Sequence, residues 1–357
     1  MRLPRPRVPQ SYLGRLLLAL PVAVLVGVLL WQRGPSFSAI GDAFGSVEWR
    51  WVAVAIALNL ASVVVRALAW NTVIRQAVAP PQPSVLLVFS AFSVGLFANA
   101  VLPGRIGELA RVAVLARKQP QRRGLWATLV GTVFAHRVFD LVPVMLLILY
   151  VALTARIPAW AVTSLLAFVC IGVALFAFAF VSARTHDTTR LDGLGAARRV
   201  IAMAREGLAV MRSPLGLALA ILFQICGWVF QLLAVWTAMR AFHIHSPLPA
   251  AAVVLLLINV ATIFPLWPGN VGLVQVAIAA PLVSYGVRYA RGVAFGFGLQ
   301  AIEASVGIGV GLLFLAREGL SFAMLRVMPS AAQAETGDEA EEEPEADARP
   351  ERARMSG

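Results

Sequence analysis

The sequence predicts an all-α integral membrane protein with about six full transmembrane helices and two re-entrant helical hairpins. Of its 357 residues, 59% are hydrophobic and only 13% are charged, whereas a soluble globular domain carries about 25% charged residues. The hydrophobic residues form long blocks, several of which reach the roughly 20 residues that a helix needs to cross a bilayer. Pro-Gly pairs interrupt two of these blocks, and these interruptions predict the hairpins.

Nine hydrophobic segments follow one another along the chain. The first follows a basic N-terminus and lacks a clear small-residue cleavage site, so it is predicted to be an uncleaved span rather than a signal peptide. In chain order the segments are Leu13–Trp31, Trp51–Val73, Ser84–Leu102, Leu125–Leu153, Ala159–Val181, Leu215–Met239, Ala250–Pro265, Val271–Tyr285 and Gly292–Ala316.

The charges divide the chain into three parts. The formal net charge is +12, yet nine of the 18 acidic residues follow Pro329. Residues 321–357 are therefore predicted to be an acidic, disordered cytoplasmic tail, residues 1–12 a basic cytoplasmic N-terminus, and residues 13–320 the transmembrane domain. Most arginines before Pro329 lie at the ends of hydrophobic segments or in the loops between them. This placement favours the positive-inside rule and contact with anionic lipid over nucleic-acid binding.

The basic loops determine the predicted topology. Arg105–Arg123 and Arg184–Arg212 are rich in arginine and should be cytoplasmic. With the N-terminus in the cytoplasm, a full crossing by Ser84–Leu102 would put the first loop outside. A hairpin that turns back at Pro103-Gly104 removes this conflict, and a second hairpin at Pro268-Gly269 opens to the opposite side. Both termini are then cytoplasmic, in the cytoplasmic membrane.

The two interruptions carry the same motif, Pro-Gly-x-(Ile/Val)-Gly, and lie 165 residues apart, at Pro103 and Pro268. Proline lacks a backbone donor and glycine permits unusual backbone angles, so the motif can end one half-helix and start another. Such paired interruptions are typical of transport sites in inverted repeats, and half-helix N-termini favour an anionic group such as a lipid phosphate. The alternative is that the motifs mark two ordinary loops.

Charges inside or near the membrane are candidates for contact with a substrate. Arg105, Glu108 and Arg111 are spaced so that neighbours can pair on a helix, and charges at membrane depth usually face an interior or a wet cavity. We interpret them as a ladder in which Arg105 or Arg111 holds a headgroup phosphate, while Glu108 orients them or meets a cationic headgroup. A charge cluster in a cytoplasmic loop is the alternative.

A second set of charges, His136-Arg137 and Asp140, lies near the middle of a long hydrophobic segment. It is either a structural ion pair between Arg137 and Asp140 or part of a substrate or proton path in which His136 titrates. Arg66 is interpreted as snorkelling towards the cytoplasm. Glu303 stands alone in the last segment, and the sequence indicates no partner for it.

Together these motifs resemble the lysylphosphatidylglycerol synthase transmembrane-region family of flippase-like membrane proteins. The resemblance covers about residues 10–320 and rests on three motifs. The first motif is Asn99 with Leu102-Pro103-Gly104-Arg105-Ile106-Gly107-Glu108 and Arg111. The second motif is His136-Arg137 with Asp140, which is similar to the family's Glu-Arg-x-x-Asp. The third motif is Pro268-Gly269-Asn270-Val271-Gly272 with Gln275, which is similar to the family's Pro-Gly-Gly-x-Gly-x-x-Glu.

The resemblance implies that the protein flips a lipid with a modified headgroup, or a related polyprenyl carrier, between leaflets. His136 and Gln275 stand where the family has carboxylates, and Asn270 where it has glycine, which argues against a lysyl-lipid substrate. Bifunctional members carry an aminoacyl-transfer domain after the membrane part. Only an acidic tail follows here, and the acids of the body are scattered, so we do not expect an enzyme.

The predicted function is a lipid translocase without a metal or cofactor, and the alternative is a non-transporting scaffold or accessory subunit of an envelope lipid or glycan biosynthesis complex. The expected partners are a lipid with an anionic phosphate headgroup and the bilayer, with a second copy or an envelope-synthesis enzyme as a further candidate. The candidate substrate-binding residues are Asn99, Pro103, Gly104, Arg105, Gly107, Glu108, Arg111, His136, Arg137, Asp140, Asn259, Pro268, Gly269, Asn270, Gly272 and Gln275.

Overall fold

The computed structural model of the protein describes residues 37–101, 106–120, 124–157, 159–184, 213–263 and 270–318. Ten helices account for most of these residues: α1 Phe37–Gly45, α2 Trp49–Ala77, α3 Val85–Val101, α4 Gly107–Lys118, α5 Leu125–Thr154, α6 Ala159–Arg184, α7 Pro214–Ala241, α8 Leu248–Ala261, α9 Leu273–Val283 and α10 Tyr289–Arg317. The predicted all-α class is confirmed. The predicted first span and both terminal parts lie outside the described residues, so the division of the chain stays a prediction.

Four helices, α2, α5, α7 and α10, are long and apolar enough to cross a membrane. They contain 28–30 residues each, or about 42–45 Å of helix, against a hydrocarbon thickness of about 30 Å. Large apolar side chains point outwards from them, such as Phe134 at 50% and Leu313 at 67% exposure. An apolar exterior of this kind suits lipid contact, and the chain is a multi-pass membrane protein.

Besides the nine-residue α1, four further helices are too short to cross. They contain 17 residues in α3, 12 in α4, 14 in α8 and 11 in α9, or about 16–26 Å each. α3 and α4 pack against each other in opposite directions. The Gly107 amide donates to Asn99 Oδ1 at 2.9 Å, and a Cβ atom at Gly95 would lie 3.2 Å from Arg111 Cβ. This close approach brings the N-terminus of α4 against the C-terminal half of α3.

The helices follow the order long, short, short, long twice, first in α2 to α5 and then in α7 to α10. A shift of 165 residues, the separation of the two Pro-Gly motifs, superimposes the two sets of boundaries to within about five residues. α2 and α7 are corresponding helices and pack antiparallel. The Glu48 amide donates to Ala241 O at 3.0 Å at one end, and Ser62 Oγ donates to Gly227 O at 2.8 Å near the middle.

Two large apolar cores, beside a small cluster around Phe139, hold the described helices together. One lies around α7 to α10 and includes Met239 and Phe295, and the other lies around α2, α3 and α4 and includes Trp70 and Leu115. α3 packs on α10, and α8 packs on α5, so each half places a short helix on the last long helix of the other half. Polar residues concentrate where α2, α5 and α7 meet.

Candidate functional site

A polar cleft lies between α2, α3, α4 and α5. Its free volume is about 60 Å³, which is room for a few water molecules. Six of the predicted site residues line it, and Arg66 joins them. The lining residues are Arg66, Phe92, Gly95, Leu96, Asn99, Gly107, Glu108, Arg111, His136 and Arg137. Among the described residues, the first half of the chain therefore supplies the whole cleft.

A chain of ion pairs runs along the cleft. Arg111 Nη2 lies 2.5 Å from Glu108 Oε2, the other Glu108 oxygen pairs with Arg137 Nη2, and Arg137 Nη1 lies 3.3 Å from Asp140 Oδ2. Glu108 thus bridges arginines of two different helices. The predicted spacings do bring Glu108 to Arg111 and Arg137 to Asp140, whereas Arg105 and the Pro-Gly pairs lie outside the described residues.

Arg111 is the most deeply buried arginine of the cleft, with 4% exposure. Its guanidinium lies 4.6 Å from the Trp70 ring centroid and 5.5 Å from that of Phe92. Cation–π contacts and the ion pair with Glu108 offset the cost of burying this charge. Its Nε has no hydrogen-bond partner in the part of the chain that the structure describes, so the cation keeps an unused donor.

Asp140 joins the cleft to α7. Its Oδ1 accepts hydrogen bonds from Gln224 Nε2 at 2.9 Å and from Trp228 Nε1 at 3.1 Å, while Oδ2 faces Arg137. Gln224 also donates to the His136 carbonyl at 3.3 Å. These bonds fix the carboxylate between two long helices. The sequence analysis did not predict Gln224 and Trp228 as site residues. The only sign of them in the sequence is that each places a polar group inside a long apolar segment.

Arg66 packs between helices and does not snorkel as predicted. Its guanidinium lies 5.0 Å from the Trp228 ring centroid, and Gly227 leaves the space for it, because a Cβ atom there would lie 2.8 Å from Arg66 Cγ. The Arg66 carbonyl lies 3.3 Å from His136 Nε2. Arg66 is therefore held at the crossing of α2 and α7, with an Nε that has no partner among the described residues.

The described residues around the second interruption form hydrogen bonds within the second half of the chain. Gly272 N donates to Gln275 Oε1 at 2.6 Å, which caps α9, and Gln275 Nε2 donates to Gln300 Oε1 at 2.8 Å. Asn270 has a φ of 45° and donates through Nδ2 to Ala261 O at 2.8 Å. Asn259 donates to Leu255 O of its own helix. The structure thus separates these four predicted residues from the polar cleft.

Three polar residues and the point where α2 crosses α7 lie near the middle of the long helices. Asp140 in α5, Glu303 in α10, Ser62 in α2 and Gly227 in α7 all lie near the middle of their helices, roughly 20 Å from either end. Glu303 Oε1 accepts from Gln231 Nε2 of α7 at 3.2 Å, so the structure supplies the partner that the sequence did not indicate. Across the described residues, no three His, Cys, Asp or Glu side chains form a metal site.

The family described as the lysylphosphatidylglycerol synthase TM region matches residues 17–311, which confirms the resemblance and extends over most of the chain. Comparison with curated proteins and with solved structures gives no match. Because this match covers most of the chain, the chain belongs to the lysylphosphatidylglycerol synthase transmembrane-region family.

Proposed function

We propose that the protein is a lipid translocase that moves a phospholipid or a polyprenyl-linked lipid with an anionic phosphate headgroup between the leaflets of the cytoplasmic membrane. The observation that carries this proposal is the cleft at the middle of the long helices, where Arg66, Arg111 and Arg137 gather around two carboxylates. Charged side chains at this depth are costly, and they usually mark a substrate or ion path.

Glu108 occupies the place that a headgroup phosphate would take between the arginines of the cleft. It is an anion held by Arg111 on one side and by Arg137 on the other, and a phosphate has the charge and the acceptor oxygens to take its place. Guanidinium groups bind phosphate through paired hydrogen bonds. The cleft is too small for a headgroup in this state, so loading requires Glu108 to leave one or both arginines and the walls to separate.

The fold suggests how the cleft could be exposed to both sides. Corresponding helices α2 and α7 cross antiparallel at Ser62 and Gly227, and such a crossing is expected of an inverted repeat with its axis in the membrane plane. In our proposal α3–α4 and α8–α9 are re-entrant hairpins and six helices cross fully. Both termini are then cytoplasmic. Rocking of the halves about the crossing would open the cleft to each leaflet in turn.

The alternative of a non-transporting scaffold has no specific support in the geometry. A scaffold has no need of three arginines and their partners at the centre of the long helices, since buried ion pairs add little stability over apolar packing. We also propose that the chain performs no covalent chemistry. A second copy or an envelope-synthesis enzyme stays a candidate partner.

The test is lipid flipping in proteoliposomes. Fluorescent phosphatidylglycerol, phosphatidylcholine and polyprenyl phosphate are compared, with bleaching of the outer leaflet as the readout. Arg137 is the arginine to change first, because its side chain is 54% exposed and Arg137→Gln should fold. The control is Arg50→Gln, in an arginine that is 78% exposed and pairs with Glu48.

The proposal expects the wild type to flip at least one anionic lipid, Arg137→Gln to be at least tenfold slower, and Arg50→Gln to match the wild type. Size-exclusion profiles verify that each variant is folded. If the folded wild type moves none of the three lipids, or if Arg137→Gln flips at the wild-type rate, the translocase proposal is overturned.

A further inference from the structure

Glu303 is a carboxylate at the centre of α10 that the cleft does not use. It is partly buried, and the hydrogen bond to it comes from Gln231, a neutral amide. The ion pairs of the described residues do not include it. A carboxylate at this depth without a paired cation is costly in its charged form, so taking up a proton relieves the cost.

Arg66 is the charged group that acts on Glu303 from the helices packed around it. Arg66 is also attracted to Asp140, and it forms a close ion pair with neither carboxylate. Its side chain lies over Trp228 with an unpartnered Nε. The charge of Arg66 therefore acts both on Asp140, which pairs with Arg137 of the cleft, and on Glu303 of α10.

The formal charges of this group sum to zero. Three arginines, Arg66, Arg111 and Arg137, face three carboxylates, Glu108, Asp140 and Glu303, when all are ionised. Entry of a phosphate diester adds one negative charge to a region of low dielectric constant. Uncompensated charge is costly there. The electrostatic free energy of the group with the phosphate is therefore lowest if one proton enters together with the phosphate.

We propose that Glu303 takes up one proton when an anionic phosphate headgroup enters the cleft, so that the lipid moves together with a proton. This inference rests on the proposed function and names its coupling ion. Protonated Glu303 releases Arg66, which is then free to balance Asp140 and the phosphate. The proton comes from water on the side where the lipid loads and returns to water on the other side, when the headgroup leaves and Glu303 ionises again.

Proton uptake on binding is the first measurement. Short-chain phosphatidylglycerol is titrated into the detergent-solubilised full chain in weak buffer at pH 8, with an indicator dye. The wild type should take up close to one proton per bound lipid. Glu303→Gln copies the protonated group and should bind the lipid with no uptake. The control is Glu318→Gln at the end of the same helix, an acid that bonds to Ser90 and Lys118 and should leave the uptake at one.

The second measurement imposes a pH gradient of one unit across proteoliposomes. A lipid anion that moves with one proton reaches a distribution set by the proton gradient, about tenfold in favour of the leaflet facing the alkaline side. Glu303→Gln should redistribute the lipid to equal amounts, and protein-free liposomes should show no redistribution.

The outcomes separate the two proposals. No flipping by the folded wild type contradicts the proposed function itself. Flipping that does not respond to the pH gradient, or binding without proton uptake, overturns the proton coupling. A Glu303→Gln variant that still concentrates the lipid overturns the assignment of the proton to Glu303. Each of these outcomes leaves the translocase proposal standing.

Discussion

Ser62 donates a hydrogen bond to the backbone carbonyl of Gly227, and the two residues are separated by 165 positions. The same separation divides Pro103 from Pro268 and Gly107 from Gly272. A residue that contacts its own counterpart in the other half lies on the axis that relates the halves. The crossing of α2 and α7 is therefore the centre of the described fold, and Arg66, one turn beyond Ser62, packs against Gly227 at this crossing.

The first prediction concerns the space that Gly227 leaves. A Cβ atom at this position would lie 2.8 Å from Arg66 Cγ, so Gly227→Ala displaces Arg66 from Trp228. Overpacking of this kind costs about 1–3 kcal/mol, and we expect a lower Tm in detergent together with slower flipping. Gly309→Ala in α10 is the control, because its Cβ would meet nothing within 4 Å. Equal Tm values for the two variants would contradict this prediction.

The second prediction separates the two roles of Trp228. Its indole donates to Asp140 Oδ1 at 3.1 Å, and its ring supports Arg66. Trp228→Phe keeps a ring and removes the donor, which leaves a buried carboxylate short of one hydrogen bond at a cost of about 1–3 kcal/mol. We expect flipping to fall at least fivefold.

Trp236→Phe is the matched control for Trp228→Phe. Trp236 also lies beneath an arginine, Arg240, with 4.5 Å from guanidinium to ring centroid. Its Nε1 bonds to nothing in the described part of the chain, so the substitution removes no hydrogen bond and should leave the flipping rate unchanged. An equal loss in both variants would show that the donor to Asp140 is unimportant.

Local spacing accounts for the part of the site that the sequence predicted. Residues three apart share a helix face, so the pairs Glu108 with Arg111 and Arg137 with Asp140 follow from the sequence once the helices are assigned. The bridge from Glu108 to Arg137 joins two helices, and it depends on how α4 packs on α5. No periodicity within one segment contains that information.

The same reason explains what was missed. Gln224, Trp228 and Gln231 are isolated polar residues in an apolar helix, and their roles exist only because α7 faces α5 and α10. The prediction that Arg66 snorkels was wrong for the same reason. The sequence does not show that Gly227 leaves space for the Arg66 side chain between α2 and α7. The symmetry of the two Pro-Gly motifs suggested one shared site, but Gln275 bonds to the amide of Gly272 in its own helix.

The third prediction tests this capping role of Gln275. Gln275 is fully buried and joins Gly272 N to Gln300. Gln275→Leu leaves a buried amide donor and the Gln300 side chain without these partners, and we expect a loss of about 2–3 kcal/mol in the free energy of unfolding. Gln275→Glu keeps the acceptor for Gly272 N, and the Gln300 amide can turn to donate to it. Thermal unfolding in detergent should therefore place Gln275→Glu well above Gln275→Leu, and the reverse order would refute the capping role.

The last prediction follows from the position of Glu108 between two arginines. If this carboxylate occupies the place of a headgroup phosphate, its removal takes away a competing anion. Glu108→Gln leaves Arg111 without a paired carboxylate and Arg137 with Asp140 alone, and it keeps an acceptor oxygen between them. Binding of short-chain phosphatidylglycerol should therefore become about tenfold tighter. Binding of short-chain phosphatidylcholine, which has no net charge, should change less. Calorimetric titration of both lipids, with Glu318→Gln as the control, measures this difference. Weaker binding of phosphatidylglycerol to Glu108→Gln would show that Glu108 supports the headgroup and does not replace it.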